Sequence, residues 1–313
     1  MTEELIGVAL AAFALVLFSS NIILTRVALA RLDLNVGFLI MMTVNLLVSA
    51  VVLALQAAWR GHGPGFDRLA FAQFALAGVS STFLGRWFFY ESVARLGAAK
   101  ASTFQVASPM FAALIAWLFL HESLNSPAWA GMAIATAGLL AVALVPAAKT
   151  QSTSPAPGSR SGAHLSPLRA ALVLGVGAPL AYAIGNVLRA AAIRRWPEAI
   201  VGGLIGAAAG VALQFTLHPR SLGHLWNARN ANRVGVGLYA LGGVITIVAQ
   251  VATIASMAYV PVAISALITL CTPLLVFPLS LVFLRKYEAP TWRTFAGCLV
   301  ALGGIALLIA NST

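Results

Sequence analysis

Charge is scarce in this sequence. Of its 313 residues only 9% are Asp, Glu, Lys or Arg, and just eight are acidic. Water-soluble domains carry about 25% charged residues, so a soluble globular enzyme with a large core is excluded. Cysteine is nearly absent. Cys271 and Cys298 both lie in apolar runs, lack the spacing of a metal site and give no basis for a disulfide. Segments of alternating apolar and polar residues are missing, which excludes a closed β-barrel. Nothing reads GxxxxGK[ST], so no P-loop in this chain hydrolyses ATP. The five histidines, His62, His121, His164, His218 and His224, fall in loops or at span ends, and none makes a metal-ligand spacing. No metal and no cofactor is expected.

What fills the chain instead is apolar: 60% of residues are hydrophobic and the mean hydropathy is +0.93. A membrane-spanning helix needs about 20 such residues, and roughly ten spans can be placed. They run about Leu5 to Leu29, Val36 to Trp59, Leu69 to Val93, Ala98 to Leu120, Ala128 to Val145, Leu168 to Ala192, Ala199 to Leu217, Val234 to Met257, Val262 to Leu284 and Trp292 to Ala310. The reading is an all-α integral membrane protein whose spans leave no soluble domain for separate chemistry. The acidic start, MTEEL, lacks the basic n-region of a cleavable signal, so the first span is expected to stay. The net charge of +11 is scattered through short loops without a basic face or recognition helix, so a nucleic-acid partner is not expected.

The chain repeats itself. Gly78 to Leu144 returns in altered form as Gly243 to Ile309: Ser92 falls on Ser256, Arg86 on Gln250 and Ser108-Pro109 on Thr272-Pro273. After a two-residue insertion, Gly131 falls on Gly297 and Gly138 on Gly304; more weakly, Asn21 can be set on Asn186. Between the copies lies a Ser, Pro, Gly and Ala stretch that cannot bury a core and reads as a flexible linker. The expected organisation is a first five-helix repeat over 1–147, a polar linker over 148–167 and a second repeat over 168–313. An odd number of spans per repeat inverts the second copy, and the substrate site is then expected near the bilayer midplane between the halves. Loops after the odd-numbered spans carry 13 basic residues, against five after the even-numbered ones, Arg60, Arg68, Arg189, Arg194 and Arg195. By the positive-inside rule the linker is cytoplasmic and both termini lie outside.

One stretch carries a resemblance. LFLHESLNSPAWAGMAIATAGLLAV, Leu118 to Val142, is an apolar span, a Glu, a short polar turn and a Gly-marked last span. Its second copy, LVFLRKYEAPTWRTFAGCLVALGGIAL, keeps that shape with Lys286 where Glu122 stands. The pattern resembles the drug/metabolite transporter superfamily, EamA type. The resemblance implies a secondary carrier of ten helices around a central cavity, often an exporter of metabolites or amino acids. It implies a bacterial inner-membrane location, and its family moves too many compounds to name one.

Arg86, deep in the third span, is the most informative residue. A charge at the bilayer centre costs a few kcal/mol or more unless it faces a cavity or a partner. It could meet a substrate carboxylate, for which its planar fork is suited, or it could pair with Glu91 or snorkel to an interface. Glu91, about 140° round the helix, is the only acidic residue within a span. It is the candidate carrier of an exchanged proton, unless it pairs with Arg95 four residues on. Asn21, Asn186 and Gln105, together with Gln250, are amides that could bind substrate or join helices. Among the aromatics of the third span, Trp87 and Tyr90 are candidates to line a pocket, as is Tyr182, one turn before Asn186; packing is the competing role. Pro109 and Pro273 could kink their spans as gating hinges or bend them statically. Gly202, Gly206 and Gly210, spaced by four, suit close helix packing.

Three functional classes compete. A secondary carrier needs a small-molecule substrate, the lipid bilayer and, for coupling, a proton. A membrane-embedded enzyme would need paired carboxylates or His clusters at one depth, and the single Glu inside a span argues against it. A scaffold without transport would leave Arg86 and the inverted repeat without a purpose. Sidedness tests the arrangement. Labelling of single cysteines placed at residue 2, in 150–160 and at residue 312 is expected to mark both ends on one face and the linker on the other; ends on opposite faces contradict two mirrored quintets.

Overall fold

The computed structural model describes residues 2–61, 65–108, 110–111, 114–115, 126–144, 167–217, 232–260, 265, 268–269, 271–284 and 291–310. The expected linker as far as residue 166, Glu122 and Pro109 lie outside the described residues; Pro167 already begins a helix. Among those described the chain is helical, with no strand. The helices are α1 (Thr2–Leu29), α2 (Leu34–Arg60), α3 (Arg68–Ala77), a π-helical segment (Gly78–Gly85), α4 (Arg86–Leu96) and α5 (Ala98–Gln105). After these come α6 (Ser126–Leu144), α7 (Pro167–Arg195), α8 (Ala199–Leu217), α9 (Arg233–Tyr259), α10 (Thr272–Phe283) and α11 (Trp292–Ala310). Among the described residues, five stretches, in α1, α2, α7, α8 and α9, are long and apolar enough to cross a membrane. Large apolar side chains such as Leu5, Leu55, Trp59 and Val282 stand exposed on the outside, the surface a lipid environment would cover.

Local chemistry sets the helix ends. Asp33 opens α2 by accepting from Asn35 N–H at 2.9 Å, and Gly61 closes it in the left-handed conformation, φ 73°, which glycine adopts without strain. Asp67 opens α3 by accepting from Ala70 N–H at 2.7 Å and takes a second contact from Arg195 at 3.3 Å. The backbone donor, followed by Arg195, holds this loop carboxyl below its usual range. Arg60 pairs with Glu198 at 2.6 Å, so the connection after α2 is tied twice to the end of α7 and its following loop.

The helices pack through glycine. A methyl group on Gly138 would stand 2.5 Å from Ala301 N and 2.8 Å from Gly297 O, and one on Gly304 would collide with Ala135 N and Gly131 O. Each glycine therefore meets the repeat mate of the other, Gly138 against Gly297 and Gly304 against Gly131, and α6 and α11 run antiparallel. The GxxxG face of α8 is likewise packed: Gly202 lies on Phe74, Gly206 on Gly78, and Gly210 on Thr82 and Met42. Those pairings advance together, so α8 runs parallel to the third helical rod. By the same reading α1 is antiparallel to α9, with Gly7 against Val260 and Gly242 against Asn21. Likewise α7 is antiparallel to the third rod, with Gly185 against Ser81 and Gly177 against Phe88. The main apolar core joins both halves, with Phe38, Met41, Phe83, Tyr90 and Val93 from the first and Ala178, Val211, Tyr239 and Val276 from the second.

Neighbouring glycines separate packing from helix propensity. Gly304→Ala must push two backbones apart and is expected to lower stability by about 1–3 kcal/mol. A methyl on Gly303 meets nothing within 4 Å, so Gly303→Ala is expected to stay within about 0.5 kcal/mol. Thermal unfolding of the two variants in detergent compares them directly.

Candidate functional site

The third rod is interrupted. Eight residues, Gly78–Gly85, form a π-helix between α3 and α4. Such wide turns are rare and mark places where a side chain is re-aimed. Here Ser80 Oγ donates to Ala181 O of α7 at 2.8 Å, Thr82 accepts from Arg189 at 2.8 Å, and the turn ends at Arg86.

Arg86 is 4% exposed. Its Nη2 donates to Gln250 Oε1 at 2.8 Å, across 164 residues of sequence. Asn45 of α2 takes the Nη1 donor and passes its own amide hydrogen to Gly243 O, the orientation that satisfies both ends of the amide. Both partners are neutral, so the charge itself is unanswered, and donors remain among the five of the guanidinium. Close by, Asn21 Nδ2 donates to Tyr90 Oη at 3.1 Å, while Asn21 Oδ1 and Gln250 Nε2 have no partner among the described residues.

These groups border a cavity of about 130 Å³, counted as space open to the centre of a water molecule. One water needs only about 10–15 Å³ by this measure, so the cavity holds several waters or a small metabolite. Its lining brings together Arg86, Asn21, Asn186, Gln250, Tyr90, Gln105 and Tyr182, as expected from the sequence, and adds Arg189. Hydroxyls of Ser81, Ser102, Thr246, Thr253 and Thr269 and apolar walls from Phe18, Ile22, Phe89 and Ile254 complete most of it. Among the described lining residues none is acidic.

Several expectations change. Trp87 does not line the cavity; it packs edge-on against Phe88, ring centres 5.4 Å apart, at the margin of the core. Glu91 does not reach the cavity either. Arg95 Nε donates to its Oε1 at 2.6 Å, one turn along α4, which is the exposed intrahelical pair that competed with the proton-carrier role. Pro273 is not a mid-helix kink: it stands in the first turn of α10, where a missing N–H leaves no broken bond. The chain before it is turned, with Cys271 N–H on Ile268 O and Leu274 N–H on Cys271 O. Thr272 and Pro273 border the cavity, so the positive end of the α10 dipole is presented there.

Arg189 had been counted with the loop cations. It is buried in α7, 8% exposed, and faces the cavity. A signal for it existed: Tyr182, Asn186 and Arg189 follow at steps of four and three, which puts them on one helix face. Removing Arg189 from the less basic side sharpens the loop asymmetry. Asn45 had no such signal, since a lone amide in an apolar run reads as helix glue.

With this geometry in view, known proteins can be compared. Residues 5–144 match the model of the EamA-like transporter family, which belongs to the drug/metabolite transporter superfamily. That family points to a membrane transporter rather than an enzyme. A search of curated proteins gives no match. Among solved structures, one described only as a crystal structure of a protein is similar over 98% of each chain, at 16% identity and a TM-score of 0.56. At that identity the likeness speaks for the fold alone.

Glu91 generates the test here. Glu91→Gln removes a half-exposed pair off the cavity, so it is expected to cost no more than about 0.5 kcal/mol. It is also expected to leave the pH dependence of any flux unchanged, as read by melting temperature and by uptake at graded pH.

Proposed function

We propose that this protein is a secondary transporter, driven without ATP, that exports amino acids or related carboxylate-bearing, amphipathic metabolites across a bacterial inner membrane. In this reading ten spans form two inverted five-helix repeats around the cavity. The helix directions support it: two pairings between the halves are mirrored, α1 with α9 matching α7 with the third rod, and α2 beside α9 matching α8 beside the third rod. The equivalent helices α6 and α11 lie on each other, as a two-fold axis in the membrane plane requires.

The observation that carries the substrate class is the buried Arg86 guanidinium at a polar cavity whose described lining holds no carboxylate. A substrate carboxylate would take the free donors of Arg86. The discontinuous stretch before α10 adds a helix N-terminus, the arrangement by which carriers hold anionic groups near the midplane. Apolar walls, Phe18, Ile22 and Phe89, would accept the rest of an amphipathic molecule. Proton coupling is part of the proposal only as a partner ion, with no carboxylate assigned to it.

Reconstitution into proteoliposomes loaded with a metabolite mixture tests this. Efflux of carboxylate-bearing solutes is expected, and Arg86→Gln is expected to reduce it about 10- to 100-fold, the worth of one charge-assisted contact. The folded yield should hold, because Gln250 and Asn45 can bond the new amide. No solute moving in either direction, with or without a pH gradient, rejects the carrier.

A further inference from the structure

The carrier reading uses one guanidinium and leaves a second idle at the same cavity. Arg189 reaches it from α7, whereas Arg86 comes from α4. Its bond to Thr82 Oγ1, like those of Arg86 to Gln250 and Asn45, is to a neutral group. The two cations lie near enough to act on each other, and both act on Tyr182, which also lines the cavity. Like charges held together away from water repel, and each has also lost hydration. A structural role for both would call for an internal carboxylate. The described lining has none, and Glu91, Glu198 and Asp67 are engaged at helix ends with Arg95, Arg60 and Arg195. Among the described residues no carboxylate answers the pair, and a ligand can bring the negative charge.

The two guanidiniums are anchored separately. One is held by α9 and α2, the other by the π-helical turn. Each offers its own planar fork, and a fork matches one carboxylate.

We propose that the substrate is a small dicarboxylate, one carboxylate held by Arg86 and the other by Arg189. This rests on the carrier reading of the same cavity and adds the charge and valence of what is carried. Tyr182 and Asn186, on the α7 face with Arg189, lie along the molecule between its two ends. A substrate of this kind neutralises the cavity when it enters and restores the repulsion when it leaves.

The test compares ligands of matched length on the full chain, by thermal shift in detergent and by counterflow in proteoliposomes. The probes are succinate, glutarate, butyrate and inorganic phosphate. A dicarboxylate is expected to bind at least about tenfold more tightly than butyrate, since it gains one more charge-assisted contact. Arg189→Gln is expected to bring that ratio to about one. If Arg189→Gln does not fold, Arg189→Lys keeps the charge and loses the fork, and the ratio is expected to fall part-way. Equal or tighter binding of butyrate by the wild type, phosphate outcompeting both dicarboxylates, or an unchanged ratio in the folded variant overturns the proposal. A mixed-metabolite efflux run in parallel separates the two readings. Movement of another solute without the dicarboxylates rejects the dicarboxylate and keeps the carrier, whereas no movement at all rejects both.

Discussion

A positive charge held away from water, with only neutral groups to answer it, is the constraint around which this molecule is arranged. Arg86 is buried in a chain that has eight acidic residues in all, and none of those described borders its cavity. Such a group persists only where dipoles replace its lost hydration. Gln250 from one half and Asn45 from another helix supply them, so the charge itself binds the halves together. The cavity is the space that these polar groups border between apolar walls.

The packing serves that space. Lipid offers no hydrophobic drive between helices, so they associate through close fit and small residues. Gly206 against Gly78, and Gly138 and Gly304 against their partners, let backbones meet closely. The polar side chains then converge at the centre. The π-helical turn belongs to the same economy of position. It breaks the regular rise of the third rod at the level of the cavity, gives Thr82 to Arg189, and delivers Arg86.

Much of this was legible beforehand. A burial cost of several kcal/mol makes Arg86 conspicuous in any apolar run, and the repeat alignment already paired it with Gln250, the residue it touches. Amides inside spans, Asn21, Asn186 and Gln105, were legible for the same reason. For Trp87 and Glu91 the sequence offered two roles each, and the structure shows the packing contact and the Arg95 pair: both lie on the rod that carries Arg86 and face away from the cavity. Pro273 misled because a proline in an apolar run reads as a kink unless the break before it is known. Arg189 was hidden by its place near a span end, where a cation normally marks the interface.

The sequence by itself determined the solvent the protein lives in, its helical class, its linear repeat and the scarcity of acid. These follow from composition and period, and burial in lipid makes both nearly compulsory. Only the tertiary structure decided which polar residues share one cavity, that a second guanidinium is among them, and that Glu91 is not. Those depend on helix rotation and on contacts 100 to 200 residues apart, which local propensity does not encode.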